Sequence, residues 1–391
     1  MIAAGLLIAA GLVLFYVMVG YPLLLAAYTR RAAPAVRKDL GFRPTATVVL
    51  AVHNGEEFIR AKLESLAGLD YPAGLVDILV VSDGSTDRTD AMIAAFAASP
   101  AGSQVRLLRA PRGGKAAALN LGIEHASGEI LFFTDVRQPI HPAALSHLAA
   151  NFADPTVGAV TGELRMLDPN RSGEQADMEL YWRYELWARG RHSRIDSVFT
   201  ATGCIYAMRR SLAEPLPPDT LSDDAVLPLR AFFRGYRVVF DPEAVAFDYP
   251  AVEGMEFRRR LRTLAGLWQI HGRLPQLFTR ANRMRFHFLS HKFLRLVLPW
   301  AILAALGATF ALPASGLRTF LLFDELALAG LACADFLVPR RFPLKRLTSP
   351  ARTFLSMNAA ALLALAIFLV PAGTFWRPAR MQSRPEAGGT P

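Results

Sequence analysis

Short polar clusters that interrupt apolar runs carry the chemistry in this 391-residue chain. The first is His53, Asn54, Gly55 and Glu56, directly after the β-branched run at 46–52. The second, Ser82, Asp83, Gly84, Ser85, Thr86 and Asp87, ends another apolar run at 77–82. Small polar side chains at a strand end reach a ribose or a base edge, and a carboxylate accepts ring N–H or hydroxyl hydrogens. Each cluster alone reads equally as a turn with a helix cap, Asp87 above all. Next comes Arg112, Gly113, Gly114 and Lys115, opening the helical AAALNLGIEHA. A glycine pair lets backbone approach a ligand, and a lysine at a helix start offsets phosphate charge, although the spacing is not that of a Walker loop. Asp135 closes the run LFFTD, where a carboxylate suits Mg²⁺ or Mn²⁺ bridging a diphosphate, or simply caps the strand. Asp223 and Asp224 precede a helical run that ends at Gly235. Such a pair suits general-base work, with an N-cap fitting Asp223 equally well.

These clusters need elements that bring them to one edge. Strand-like runs at 46–52, 77–82, 105–109, 130–134 and 157–163 alternate with helical spacing at 56–66 and 87–98. That alternation predicts a parallel, doubly wound α/β sheet, in which ligands bind at the carboxyl ends of strands. The clusters fall at those ends.

Composition adds a membrane. The chain is 52% apolar and 19% charged, with a net charge of +10. Its basic residues concentrate beside apolar runs and within 258–295, which reads as attraction to membrane lipids and not as a nucleic-acid footprint. Cys204 and Cys333 lack CxxC spacing, so neither a disulfide framework nor a zinc site is implied. Residues 2–28 form an uncharged run long enough for a hydrocarbon core of about 30 Å. Arg30, Arg31, Arg37 and Lys38 follow it and place the next domain in the cytoplasm. Further candidate spans lie at 294–312, 317–338 and 354–370; the middle one carries Asp324, Glu325 and Asp335. Arg340, Arg341, Lys345, Arg346 and Arg352 mark a cytoplasmic loop, whereas a fourth crossing would place Arg377, Arg380 and Arg384 outside. The expected organisation is a transmembrane helix at 1–29, a cytoplasmic domain at 45–250 and basic interfacial helices at 251–292. Transmembrane helices at 293–375 and a polar tail at 376–391 complete it.

In order and spacing, VVLAVHNGEEFI, VVSDGSTDRT, GGKAAALN, FFTDVRQ, ATGCIYAMRR and LSDDAVLPLRAFFRGYRVVFDPEA resemble the successive motifs of the family 2 inverting glycosyltransferases. The flanking helices fit that family's membrane-bound, polysaccharide synthase-like branch. The resemblance implies a GT-A type doubly wound mixed sheet and transfer of a sugar from a nucleotide-sugar, a UDP-sugar, to a glycan or lipid-linked acceptor. Such transfer serves exopolysaccharide or cell-envelope glycan synthesis at a bacterial-type inner membrane. It assigns Asp83 to the nucleotide, with His53, Asn54, Glu56, Ser85 and Lys115 around the nucleotide-sugar. Asp135 corresponds to the first aspartate of a DxD motif that holds Mg²⁺ or Mn²⁺, and Asp224 to the general base, beside Asp223. Gly203, Arg209 and Arg262 fall in segments bordering the acceptor and diphosphate. Two departures stand out. The DxD motif reads Asp135, Val136, Arg137, and of the processive synthases' QxxRW motif only Arg262 survives. The second favours the alternative of single-sugar transfer to a polyprenyl phosphate or glycerolipid; the first leaves a non-catalytic nucleotide-sugar sensor as a further reading. Trp268 offers an aromatic surface in place of the missing tryptophan, and Arg258, Arg259, Arg260 and Arg262 read equally as a basic helix on anionic headgroups. Tyr181, Trp182, Tyr184 and Trp187 read as an acceptor platform or as buried packing.

Overall fold

The computed structural model describes residues 1–29, 35–167, 180–249, 256–339 and 342–375. Arg30, Arg31, Arg340, Arg341 and the tail at 376–391 lie outside the described residues. The chain divides into two compact units, one of Met1–Ala27 with Glu253–Pro378, the other chiefly Tyr28–Val252.

The chain begins with α1 (Ile2–Phe15), one π-helical turn and α2 (Tyr21–Tyr28). Together, Ile2–Tyr28 runs 27 residues and holds an 18-residue window of mean hydropathy 2.6. At about 1.5 Å per residue this exceeds a hydrocarbon core of about 30 Å.

The second unit is a mixed α/β sandwich. Its elements are β1 (Ala46–Val52), α3 (Ile59–Ala67), β2 (Val76–Asp83), α4 (Thr89–Ala97), β3 (Val105–Ala110), α5 (Lys115–His125) and β4 (Ile130–Thr134). They continue with α6 (Ala144–Ala150), β5 (Val157–Met166), α7 (Leu180–Ile195), β6 (Tyr206–Arg209), α8 (Asp223–Phe233) and β7 (Arg237–Asp248). The seven strands stand in the order β3-β2-β1-β4-β6-β5-β7. Strands β3, β2, β1 and β4 are parallel, and Val48 faces Ile78 on one side and Phe132 on the other. Their near-continuous apolar runs are what a sheet covered on both faces requires. One face packs Val48, Leu50, Val80 and Phe132 against Ile59, Leu63 and Leu145; the other sets Leu79 and Val81 under Ala118. Helix α5 lies close enough that a Cβ on Gly122 would come within 2.5 Å of Val49 Cγ1.

Alternation alone reads as an all-parallel sheet, and β6 breaks that rule: it runs antiparallel to both β4 and β5. The chain enters β6 through a tight turn, with Ile205 N donating to Thr202 O at 2.8 Å. Tyr206 therefore pairs with Phe133 at the edge where β4 ends, and Arg209 pairs with Ile130 at the opposite edge.

In the other unit follow α9 (Glu256–Arg273), α10 (Arg285–Phe288), a second π-helical turn, α11 (Leu294–Ala311), α12 (Gly316–Ala334) and α13 (Lys345–Leu363). Among the described residues, Ile2–Tyr28, Arg285–Ala311 and Lys345–Phe368 are long and apolar enough to cross a membrane. Helix α12 is not in that set; Asp324 on it is exposed, whereas Glu325 and the adjoining Asp335 are partnered. Glu325 accepts from Thr309 Oγ1 at 3.0 Å, and buried Asp335 meets Lys345 Nζ and Arg352 Nε, each at 2.9 Å. Pairing of this kind is how a helix bundle keeps carboxylates among apolar helices. Trp268 does not offer an open surface: its Nε1 donates to Ala361 O at 3.2 Å, and its ring meets Trp300 edge-on at 6.1 Å.

Candidate active site

Lys115, the first residue of α5, is the hub of the edge where β1, β2 and β4 end. Its Nζ lies 2.9 Å from Asp135 Oδ1 and 3.0 Å from Asp223 Oδ1, joining the exit of β4 to the start of α8. Gly114, at φ +87°, makes the turn into α5 that aims the lysine there. Asp223 is buried, and its other oxygen accepts from the Tyr206 hydroxyl at 3.1 Å.

Asp224 differs from its neighbour. Its carboxylate makes no hydrogen bond among the described residues, and its backbone carbonyl accepts from Ala201 N at 2.7 Å. A Cβ placed on Gly203 would stand 3.2 Å from Asp224 Oδ2, so the glycine leaves open the ground beside that oxygen. Burial pushes the Asp224 carboxyl up to about 7, the Asp223 charge adds to the rise, and Lys115 opposes it. Burial acts the same way on Asp135, but Lys115 outweighs it and holds that carboxyl below its ordinary value. For Lys115 burial works against the charge, yet Asp135 and Asp223 keep its pKa well above normal. Neighbouring carboxylates are thus driven to different protonation states, the pattern that separates a proton acceptor from fixed charges.

The nucleotide-side candidates form one braced rim. Asp83 is buried, and its carboxylate accepts from Gly113 N at 2.6 Å and Gly114 N at 3.0 Å while pairing with Arg112. In this geometry it shapes the glycine loop. His53 Nδ1 contacts Asp83 O at 2.8 Å. Asn54, at φ +49°, accepts from Thr86 N at 2.8 Å and bonds Ser85 Oγ through its own N–H at 3.1 Å. Glu56 accepts from Arg88 N at 3.1 Å and donates its N–H to Asp87 Oδ2 at 3.1 Å. Asp87 also accepts from Thr89 N at 3.0 Å, so it both precedes the helix as a capping group and ties the two loops together.

Arg209 and Arg137 sit elsewhere in the same unit. Arg209 donates to the carbonyls of Val157, Phe152 and Asp154 at 2.8–3.0 Å, at the far edge of the sheet, which corrects its placement near acceptor or diphosphate. The reversal of β6 carries it there. Arg262 lies on α9, in the other unit. Arg137, at the second DxD position, turns away to a two-point pair with buried Asp248, Nη2 to Oδ2 at 2.8 Å, which Gln138 Nε2 joins at 2.8 Å.

Sequence reasoning missed four groups. Lys62 is buried on α3 and donates to Thr134 Oγ1 and Gln138 O, both at 2.6 Å, while the Thr134 hydroxyl donates to Cys204 O at 2.8 Å. This ammonium, whose pKa burial lowers to about 7, pins the loop of Asp135 to that of Gly203. Its signal was a lysine between Ile59 and Leu66 on the core face of the helix. Arg189 of α7 donates to Thr202 Oγ1 at 2.6 Å, beside Gly203, and its charge opposes the rise at Asp224. Tyr206 and Asp248 act through the pairs already described. The aromatic face of α7 is mixed: Trp182 packs against the core, and Tyr184 stacks on Trp187 at 5.8 Å with Arg191 over the Trp187 ring.

A divalent cation has one protein carboxylate available here, Asp135. Among the described residues no three His, Cys, Asp or Glu side chains cluster as a metal set. One hard carboxylate completed by diphosphate oxygens fits Mg²⁺ or Mn²⁺, so the donor set suits an ion that arrives with the nucleotide.

Residues 47–216 match the family model described as Glycosyl transferase family 2. The chain is 26% identical over 266 residues to the Bacillus subtilis protein named "Probable glycosyltransferase YdaM", covering 66% of this chain and 63% of that one. It is 25% identical over 243 residues to a beta-monoglucosyldiacylglycerol synthase of Nostoc, covering 60% of this chain and 48% of that one. The chain therefore spans about half to just under two thirds of these relatives. A mannosyltransferase from Pyrobaculum calidifontis, solved with GDP-Man and Mn²⁺, superposes with a TM-score of 0.73 at 25% identity, over 93% of this chain and 99% of that one. The strand order, the braced rim and the matched segment agree: residues 47–216 match glycosyltransferase family 2, on a mixed sheet of the GT-A type.

Proposed function

We propose that the protein is a membrane-bound inverting glycosyltransferase that moves one sugar from a UDP-sugar to a glycan or lipid-linked acceptor, on the cytoplasmic side of the membrane. The observation that carries this reading is the Lys115 bridge, which holds Asp135 and Asp223 within 3.0 Å and leaves adjacent Asp224 unpaired. In the proposed step Asp224 takes the proton of the acceptor hydroxyl. The acceptor oxygen attacks the anomeric carbon from the face opposite the diphosphate, the bond from that carbon to the diphosphate oxygen breaks, and the electron pair leaves with the diphosphate. Lys115 stabilises that departing charge. A divalent cation bound by Asp135 and the diphosphate would supply further charge neutralisation. No sugar–enzyme bond is needed, and inversion follows from the single displacement.

Single addition is supported by the isolated Arg262, with no Gln or Trp completing the motif of processive synthases. The membrane setting is supported by the three long apolar helices. A donor screen on purified membranes, following UDP and GDP release, tests the reading. UDP release dependent on an added glycan or lipid acceptor is expected, with one sugar per product. GDP release from GDP-mannose, the ligand of the Pyrobaculum neighbour, would replace the donor assignment. A ladder of products would replace single addition.

A further inference from the structure

We propose that the cleft at the start of the Arg285–Ala311 helix binds the phosphate of an anionic membrane lipid; the proposal rests on the membrane reading above. The cleft, of about 510 Å³, is lined by Arg280, Asn282, Arg283, Arg285, Phe286 and Leu289. Its wall is set by a turn whose alternate residues are anchored: Leu277, Asn282, Met284 and Phe288 are buried, which leaves Arg280, Arg283 and Arg285 exposed together. Asn282 fixes that turn, donating to Leu277 O at 2.8 Å and accepting from Met284 N at 2.9 Å. The guanidinium groups of Arg280 and Arg285 have no ion-pair or hydrogen-bond partner among the described residues. Within the sequence the segment is one-signed: no Asp or Glu occurs between Glu256 and Asp324.

The occupant must be anionic at one end and apolar at the other. The Arg280 and Arg285 guanidinium forks match phosphate oxygens, and Arg283 adds a positive charge to the same wall. Beside them Phe286 is half exposed, its ring centroid 6.4 Å from that of Tyr21 in the first membrane helix, and Leu289 continues the apolar wall. The helix that starts here runs 27 residues and holds an 18-residue window of mean hydropathy 1.8, preceded by the basic turns that line the cleft. That is headgroup level, where basic pockets hold lipid phosphates. A soluble phosphate would use the arginines and leave Phe286 and Leu289 without a role.

The test uses the full chain in mild detergent, titrated with dioleoyl phosphatidic acid, dioleoyl phosphatidylcholine or inorganic phosphate and followed by native mass spectrometry. The structure implies one saturable phosphatidic acid per chain and weak, non-saturating phosphatidylcholine. At roughly five-fold per arginine, the combined Arg280→Gln, Arg283→Gln, Arg285→Gln variant binds about 100-fold more weakly. A charge-matched Arg60→Gln, Arg109→Gln, Arg234→Gln variant keeps parental binding. Equal lipid affinity in parent and cleft variant overturns the proposal, as does inorganic phosphate competing the lipid off at equal concentration. Carbonate extraction of membranes separates the two failures: a chain released by carbonate contradicts the membrane reading itself, while a retained chain indifferent to phosphatidic acid contradicts only the cleft.

Discussion

Replacing Asp223 by asparagine should move the pH profile of transfer without removing the base. Burial is the main cause that lifts the Asp224 carboxyl to about 7; among the charges around it, Asp223 adds most to the rise, Asp135 adds to it as well, and Lys115 and Arg189 work the other way. The amide keeps an oxygen for the Tyr206 hydroxyl, now at 3.1 Å, so the start of α8 is retained. A like charge in contact with a carboxyl shifts its pKa by about 1–3 units. Taking the low end, the acid limb of kcat/KM falls from about 7 to about 6. Since the base works only when ionised, activity at pH 6 relative to pH 8 rises from about a tenth to about a half. The plateau itself drops about ten-fold, because Lys115 loses the partner at 3.0 Å that helps aim it. Initial rates from pH 5 to 9 at donor concentrations below KM give the limb of the free protein. An unmoved limb, or one displaced to alkaline pH, refutes the electrostatic reasoning. Complete loss at every pH would make Asp223 the base instead.

Other consequences are equally specific. An Asp224 carboxyl raised in the folded state stays protonated while the unfolded one ionises near its ordinary value of 3.8, so it costs stability increasingly from pH 4 to about 7 and fully above that. Asp224→Asn should therefore stabilise the protein at pH 8, by on the order of 1–2 kcal/mol in chemical denaturation, and hardly at all at pH 4. Arg137→Asp, which restores the missing DxD carboxylate on paper, sets a second acid against buried Asp248; it should cost about 3–5 kcal/mol and leave Mn²⁺ affinity in the presence of UDP unimproved by calorimetry. Arg209→Met should lose about 2–4 kcal/mol of stability through three abandoned carbonyls, with donor KM unchanged, as a position remote from the site requires.

The parallel half of the sheet was legible because β1, β2 and β4 are buried on both faces and end in polar clusters, so apolar run and cluster mark strand and site together. Strand β6 was not: YAMR is four residues long, too short to show a period, and its direction depends on the turn at Thr202–Ile205. That reversal decided Arg209, since reading the segment forward from Gly203 carries no information on which edge each residue reaches. Lys115, Asp135, Asp223 and Asp224 were visible as charges at element boundaries, and Gly203 as a motif residue. Their mutual pairing was not, because Lys115 meets Asp223 across 108 positions of chain only once the β4–β6 pair has formed. Lys62 shares the helix face of Ile59 and Leu66, but only the packing of α3 on the sheet shows its ammonium inside the core, on Thr134 and Gln138.

The most direct test is the single-turnover transfer rate of Asp224→Asn at saturating donor and pH 8, with the amount of bound donor recorded in the same samples. If Asp224 is the unpaired base beside Gly203, the rate falls about 10²–10⁴-fold while donor occupancy is unchanged. A rate within ten-fold of the parent at full occupancy would contradict the account.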